Sequence, residues 1–527
     1  MNLFLYVEES SWLHCADPRS KIFALVVVFF LALGLQGIQP LLLLAGLVLA
    51  AGFSAGFGAG LRRIARLLGM ILLMTTLLWG VSVGDIRAWG PFTLDGLAIG
   101  LTMGCKMVIM VMAGLIWLTT TRIEEMCIGM EKLGVPYPVA FAFSTAIRLV
   151  PWMVGSCLTV AEAQQSRGLD LTSGGFLTRT RKYIPLLIPA LISVIRNANY
   201  FSMALESRGF GSRLRRVPYL RVGFGRHDAA LGLGLLMMLL GCLTLHAGDF
   251  SGLLRDGLIF LFLFVVFIVV LRVAVTRNSG RILWLNTRMV VLTAVSAALY
   301  AAVVIPFKGF VLVPGVSDFR PGMALPPVLG ILFGPAAAWG SGFGCVISDF
   351  FGSLSPGSFF GFIGNFAMAW LPYRLWWKTG LVRRSDPEPL RVNSPGKVAN
   401  FLLLSVGGAG LCALTIAWGL DLLGLVPLKV LARLIFVNNS APVLLLSLPV
   451  LLVLYPRIQR WGLLWTDIVG EAGVKESVQK TWPGAMLIGA GLVLGLGGGL
   501  YMALASGMNP LAIAGAGLAL ILVGALF

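Results

Sequence analysis

Apolar runs of about 17 to 25 residues recur along the whole chain and alternate with short polar segments. A run of this length carries a helix across ~30 Å of hydrocarbon. The alternating polarity typical of membrane strands is not seen in the sequence. The pattern therefore predicts an all-α, polytopic integral membrane protein with about 12–14 transmembrane helices. The predicted spans are about 22–36, 40–57, 67–83, 97–118, 229–247, 253–271, 289–305, 322–338, 339–353, 357–373, 398–424, 430–455, 484–505 and 509–527.

Composition and charge agree with this pattern and exclude a soluble enzyme. The chain is 58% hydrophobic and 12% charged, whereas charged residues make up about a quarter of a globular protein. The net charge of +18 comes from Lys and Arg that cluster between spans, as in cytoplasmic loops. We therefore expect a lipid bilayer as the surrounding medium, a cytoplasmic N-terminus and no nucleic-acid partner.

The pattern changes between residues 119 and 226, where the apolar runs are short and proline-interrupted and arginines occur at near-helical spacing. Ten basic residues face one acid, Glu206, between Arg179 and Arg226. This bias suits the anionic inner leaflet or an acidic partner. We predict a large cytoplasmic segment of amphipathic helices.

Two segments within this region share the pattern A-x-[QE]-S-R-G-[LF], at residues 163–169 and 204–210. Glycine can end a helix in the left-handed conformation and leave the preceding arginine displayed at the helix C-terminus. A single S-R-G triplet is most often an ordinary helix cap, but the repeat favours a shared role. The candidate coupling residues are Ser166, Arg167, Gly168, Ser207, Arg208 and Gly209.

On these motifs the N-terminal half resembles the transmembrane (T) component of energy-coupling factor transporters. Further matching stretches are H-C-A-D-P-R-S-K at 14–21, R-K-Y-I-P at 181–185 and M-A-L-E-S-R-G-F-G at 203–211. The resemblance implies that Arg167 and Arg208 insert into grooves on partner ATPase subunits, although Ser stands where Ala is commoner in the family.

The C-terminal half resembles, mainly in topology, the substrate-binding (S) component of the same transporters, a six-helix membrane protein that captures a vitamin-like solute. The resemblance includes F-K-G-F at 307–310, L-F-G-P-A-A-A-W-G at 332–340 and G-F-I-G-N-F at 361–366. It implies that the S component topples in the membrane during transport. It also implies that a small-residue stripe, Ala294, Ala298 and Ala302, packs against the T component; in lipid, small residues let helices approach closely, although alanines are common in any span.

We therefore expect a scaffold resembling the T component at residues 1–275, with its coupling helices at about 119–226, and a basic linker at 276–288. An S-like domain follows at 289–460, and a two-helix appendage of unassigned role at 461–527. The implied function is the membrane subunit of an importer in a prokaryotic cell membrane, and not an enzyme.

Polar residues within or beside the second-half spans are candidate solute contacts, because polar side chains in lipid are costly. Bridging between helices is an equally good explanation for Asp349, Asn365 and the two adjacent asparagines. Trp339 is expected to flank a turn between spans. The candidate contacts are Lys308, Asp318, Arg320, Trp339, Asp349, Asn365, Asn438 and Asn439.

The sequence contains no G-x-x-x-x-G-K-[ST] motif, so we expect ATP and Mg²⁺ to bind to partner ATPase subunits and no cofactor to bind to this chain. Neither histidine motifs nor C-x-x-C pairs indicate a metal site. Two alternatives remain open: a cobalt or nickel permease of the same superfamily, and an integral-membrane enzyme that acts on lipids through Asp318, Arg320 and Asp349.

Overall fold

The computed structural model describes residues 6, 11–82, 87–89, 92–168, 176–212, 223–245, 257–259, 261–262, 265, 283–307, 311–313, 317–318, 320–351, 354–382, 386 and 388–470. These residues form helices joined by short connections, with two small hairpins. We call residues 11–245 the N-terminal half and residues 283–470 the C-terminal half. The predicted all-α, multi-pass character is confirmed.

The N-terminal half contains eight described helices. They are α1 (Pro18–Gly34), α2 (Ile38–Ser54), α3 (Gly58–Ser82), α4 (Leu94–Thr120), α5 (Ile123–Lys132), α6 (Tyr137–Gln165), α7 (Phe176–Ser207) and α8 (Arg226–Leu245). Strands β1 (Arg87–Trp89) and β2 (Phe92–Thr93) pair antiparallel between α3 and α4.

The C-terminal half begins with α9 (Thr287–Val304), followed by the hairpin of β3 (Val311–Val313) and β4 (Ser317–Asp318). The remaining helices are α10 (Leu325–Phe333), α11 (Pro335–Asp349), α12 (Gly357–Leu375), α13 (Pro395–Leu422), α14 (Leu428–Pro442) and α15 (Leu448–Arg460). A π-helical turn, Val443–Ser447, joins α14 to α15, so that the last pair forms one long span.

Two buried lysines hold α1 against α4. The Lys21 ammonium group donates hydrogen bonds to the carbonyl oxygens of His14 at 3.0 Å and Thr120 at 2.8 Å. The Lys106 ammonium group, within α4, donates to the Leu33 carbonyl oxygen at 2.6 Å. Each lysine thus satisfies carbonyls at the C-terminal end of the other's helix, where the helix dipole also favours a positive charge.

Described helices occupy the predicted spans between 22 and 247 and between 289 and 455. The span 253–271 is described only in part, and the spans 484–505 and 509–527 lie outside the described residues. Six described helices are long and apolar enough to cross a membrane, and two shorter apolar helices lie at Ile38–Ser54 and Pro321–Phe333.

One predicted boundary is wrong: the break between the spans 322–338 and 339–353 lies at Gly334. This residue has a φ of +56° and packs against Trp465, and Pro335 starts the next helix. Trp339 therefore lies inside α11 and not beside a turn.

The described residues of the region 119–226 lie mainly in α5, α6 and α7. Pro151 does not interrupt α6, which runs for 29 residues. The part Tyr137–Ser156 is apolar enough to cross a membrane by length and composition, so α6 is less amphipathic than its sequence pattern indicated.

Candidate functional site

The first S-R-G motif ends α6. The Ser166 backbone N–H still donates to the Glu162 carbonyl at 2.9 Å, and the Gly168 N–H donates to the Gln165 carbonyl at 2.9 Å. Gly168 has a φ of +89°, so the predicted left-handed helix end is confirmed. The Arg167 side chain is exposed and, among the described residues, forms no ion pair.

The second motif ends α7 in the same way. The Arg208 N–H donates to the Leu205 carbonyl at 3.1 Å, and Gly209 has a φ of +77°. The Ser207 hydroxyl donates back to the Ala204 carbonyl at 2.9 Å. Arg208 is exposed as well, so both motifs present an arginine at a helix C-terminus.

The second motif is anchored to the start of α6. Phe210 lies with its ring centroid 4.8 Å from that of Phe141 and 6.1 Å from that of Tyr137. The first motif follows Gln165 at the other end of α6. A 29-residue helix is about 43 Å long, so the two motifs lie roughly 40 Å apart. This separation suits two protein partners rather than one small ligand.

A second candidate site is a buried polar cluster in the C-terminal half. An Arg320 guanidinium nitrogen lies 3.8 Å from an Asp349 carboxylate oxygen, and both side chains are more than nine-tenths buried. The Tyr300 hydroxyl donates to the Asn365 side-chain oxygen at 3.1 Å. The Tyr300 hydroxyl is close enough to Arg320 and Asp349 to interact electrostatically with both. The Cys412 thiol interacts in the same way with Arg320. The cluster offers charges of both signs, a hydroxyl group and an amide.

Helix α14 adds two polar side chains whose hydrogen-bonding capacity is not fully used among the described residues. These are the Asn439 carboxamide and the Ser440 hydroxyl, both buried, and Cys412 is a polar neighbour of Asn439. Buried polar groups without partners are uncommon in native proteins. The π-helical turn follows directly, and such turns are frequent at functional sites. Asn438 is buried beside them.

Of the other predicted solute contacts, only Trp339 has a described side chain. Lys308 is outside the described residues, and Asp318 is placed only by its backbone, which pairs with Val311. Trp339 is ten residues from Asp349, about 15 Å along α11. Its ring packs 5.6 Å from that of Trp284, which precedes α9. The structure therefore does not bring Trp339 into the cluster.

The alanine stripe lies on the side of α9 that is turned away from α11. Gly340 and Gly344 of α11 leave no room for a Cβ against the other side of α9, at Ser296 and Ala297. Helix α9 also packs against α6 and α7. By helical periodicity, Ala294 and Ala298 point away from α11, and both are buried. Ala302 continues this stripe and is partly buried.

The helices of the C-terminal half form a bundle. The end of this bundle that carries Asp349 contacts α3 and α4. The Trp79 indole nitrogen donates to the Leu425 carbonyl at 3.0 Å, and Leu425 lies in the connection after α13. The Trp117 ring lies 6.0 Å from that of Phe350, which follows α11. Since the helices of the bundle alternate in direction, both connections belong to the same end of the bundle.

These two contacts occur at different levels of α4. Trp79 packs beside Gly100, and Gly100 is about 25 Å from Trp117 along the helix. One end of the C-terminal bundle therefore lies along the side of α4.

The opposite end of the bundle contacts α7 near the second S-R-G motif. The Asn199 amide donates to the Trp461 carbonyl at 3.4 Å. A cavity of about 310 Å³ lies between Glu206, the start of α9 and Asp467. Burial raises the pKa of the Asp467 carboxyl above its ordinary value, despite a hydrogen bond from Thr466.

Sequence reasoning did not single out Tyr300, Cys412 or Ser440 as members of the cluster. Tyr300 interrupts the small residues of its span and was a detectable signal. No sequence pattern indicates that Cys412 approaches α14.

Comparison with known proteins finds separate matches for the two halves. A family model described as "Cobalt transport protein" matches residues 9–219, and one described as "QueT transporter" matches residues 290–456. The chain is 31% identical over 258 residues to the energy-coupling factor transporter transmembrane protein EcfT of Listeria innocua, covering 46% of this chain and 97% of the relative. It is 28% identical over 248 residues to the protein of that name from Acidaminococcus fermentans, covering 44% and 92%. Identity to that from Limosilactobacillus fermentum is 29% over 242 residues, covering 42% and 89%.

Proposed function

The chain belongs to the family of energy-coupling factor transporter transmembrane proteins, and from this premise we propose how it works. It is the membrane subunit of an importer that captures a small, vitamin-like solute. Partner ATPase subunits bind ATP and Mg²⁺, and their hydrolysis of ATP drives uptake. The protein resides in the cell membrane of a prokaryote with its N-terminus in the cytoplasm.

The observation that carries this proposal is the pair of exposed S-R-G helix ends. Each displays an arginine beside a small serine and a left-handed glycine, and the two are roughly 40 Å apart. Each motif therefore docks one ATPase subunit through its arginine. The guanidinium group suits such a site, because its fixed donors can pair with carboxylates or carbonyls in a groove.

The solute site is the buried cluster around Arg320 and Asp349, with Tyr300, Asn365 and Asn439. Its charged groups and amide suit a small polar solute that both donates and accepts hydrogen bonds. The match of the C-terminal half to a transporter family model supports this assignment.

Co-purification tests the coupling assignment. The tagged chain is co-expressed with two ATPase subunits of an energy-coupling factor transporter, and Arg167→Glu plus Arg208→Glu is compared with wild type. We expect the double variant to lose both ATPases. A matched control, Arg196→Glu plus Arg226→Glu, makes the same change of charge at exposed sites on α7 and α8 and should retain them. Full retention by the S-R-G variant would contradict the proposal.

A second candidate function is uptake of a cobalt or nickel ion, which the description of the N-terminal family model favours. Uptake of radioactive cobalt into vesicles that contain this chain and the ATPases tests it. ATP-dependent accumulation would replace the vitamin-like solute with a metal ion, and the ATPase docking would stand unchanged.

A further inference from the structure

The connection between α11 and α12 joins the solute cluster to the interface with the N-terminal half. We call the described residues Asp349–Phe351 and Leu354 of this connection the corner. At its start Asp349 pairs with Arg320 inside the cluster. The next residue, Phe350, packs against α4 and α6. The corner thus carries a cluster carboxylate and an interface side chain on adjacent positions.

Leu354 fits a socket on α4 that exists because residue 114 is a glycine. A Cβ at this position would lie 3.0–3.2 Å from three side-chain atoms of Leu354, which is tighter than ordinary van der Waals contact. The Leu354 side chain is apolar and only 7% exposed. A larger side chain at 114 would therefore displace the corner.

Aromatic rings from the N-terminal half hold the other side of the corner. The centroid of the Phe350 ring lies 6.0 Å from the Trp117 ring, at 82°, and 6.0 Å from the Phe143 ring, at 83°. Such edge-to-face pairs add about 0.5–1.5 kcal/mol beyond the burial of their area. Phe143 belongs to α6, the helix that ends in the first S-R-G motif.

We propose that the corner links solute binding to docking of the C-terminal half, and that Gly114 is the residue that positions it. The inference rests on the proposed function, because it assigns a regulation to the same solute site. When the corner is seated on α4, Asp349 is held beside Arg320. When the corner leaves the socket, Asp349 is released and the cluster opens to solute.

Such a link is reciprocal, since two events coupled through one element shift each other by the same factor. Weakening the Arg320–Asp349 pair should unseat the corner. Filling the socket at Gly114 should open the cluster. Each direction can be measured without knowing the solute.

The first direction is measured by maleimide labelling of Leu354→Cys in the full chain, purified with its ATPases. Leu354 is 7% exposed, and cysteine is the smaller side chain, so this substitution leaves the glycine socket unfilled. Peptide mapping quantifies the label at 354 apart from the native cysteines. Adding Asp349→Asn should speed the labelling by about fivefold or more. The control Asp386→Asn weakens the Lys397–Asp386 ion pair at the other end of the bundle and should leave the rate unchanged.

The second direction is measured by the labelling of Cys412 with a small maleimide in the full chain. Gly114→Leu should increase labelling, because the unseated corner opens the cluster around this buried thiol. Gly69→Leu is the matched control, since a Cβ at Gly69 on α3 meets nothing within 4 Å. The second measurement does not use Asp349→Asn, so misfolding of that variant leaves the proposal testable.

The proposal is overturned if Asp349→Asn leaves the labelling rate of Leu354→Cys unchanged, or if Gly114→Leu labels Cys412 no faster than Gly69→Leu. Neither result bears on ATPase binding, which the Arg167 and Arg208 variants test separately. Loss of the ATPases from every preparation would instead contradict the proposed function.

Discussion

The S-R-G helix ends and the buried cluster differ in how the chain builds them. Each helix end is made within one short segment, and its arginine is exposed. The cluster is assembled from α9, α11, α12 and α14 and from Arg320 before α10, and its members are almost wholly buried. An exposed, locally built site suits a protein partner that supplies the other wall. A buried site made by several helices suits a small solute, and it changes when those helices move.

The largest expected effect on stability separates the two sites directly. Arg320→Met leaves the Asp349 carboxylate buried without its ionic partner and should destabilise the protein by about 3–5 kcal/mol. Arg167→Met, at an exposed helix end, should stay within about 0.5 kcal/mol of wild type. Thermal unfolding in detergent measures both. The double variant Arg320→Met plus Asp349→Leu should recover much of the loss, and no recovery would show that the pair is not the cause.

Replacing a glycine by alanine should lower the stability of the protein in the S-R-G motifs and raise it within α6. Gly168→Ala and Gly209→Ala force a side chain into the left-handed region, at about 1–2 kcal/mol each. Gly155→Ala places a Cβ where nothing lies within 4 Å and should stabilise the helix by about 0.5–1 kcal/mol. The affinity for the ATPase subunits should fall for the first two variants alone. Equal affinity for all three would contradict a role for the helix-end geometry.

A smaller effect is expected for a hydrogen bond inside the cluster. Tyr300→Phe removes the donor to Asn365 and should cost about 0.5–1.5 kcal/mol. Chemical denaturation in mixed micelles measures it. Because Asn365 keeps its amide bond to the Gly361 carbonyl, the variant should still fold. A loss as large as that for Arg320→Met would mean that the cluster acts as one network.

The smallest effect is a pH dependence at the start of α1, outside both sites. Burial alone would raise the pKa of the Asp17 carboxyl, but hydrogen bonds from the Arg19 side chain and backbone outweigh it and lower the pKa below 3.8. A depressed pKa contributes stability above the unfolded-state value, and that stability is lost as the pH falls through the folded-state pKa. The melting difference between wild type and Asp17→Asn should therefore be largest near pH 7 and vanish in acid. A constant difference would contradict this.

The contrast also explains what the sequence could predict. The helix ends at Gly168 and Gly209 depend on neighbouring residues alone, so two seven-residue segments were sufficient to predict them. Hydrophobic runs predicted the spans, because the bilayer dictates their length. The break at Gly334 is signalled locally by the Gly334–Pro335 pair, and it was missed because the spans were divided by length alone.

Tertiary contacts were beyond reach because they join residues that are distant in sequence. The sequence pointed to Arg320, Asp349, Asn365 and Asn439 one by one, since polar groups in lipid are rare. It did not reveal that Tyr300 completes the cluster, or that Leu354 fills the space left by Gly114. Trp339 shares the aromatic character of a binding residue but packs elsewhere in the bundle.

The proposed function requires this one chain to dock both ATPase subunits and to bind the solute. Native mass spectrometry of the complex, purified through this chain after co-expression with two ATPase subunits, tests it most directly. We expect one copy of this chain with two ATPase subunits and no further membrane protein. A chain that carries no ATPase, or that binds them only with a separate solute-binding subunit present, would contradict it.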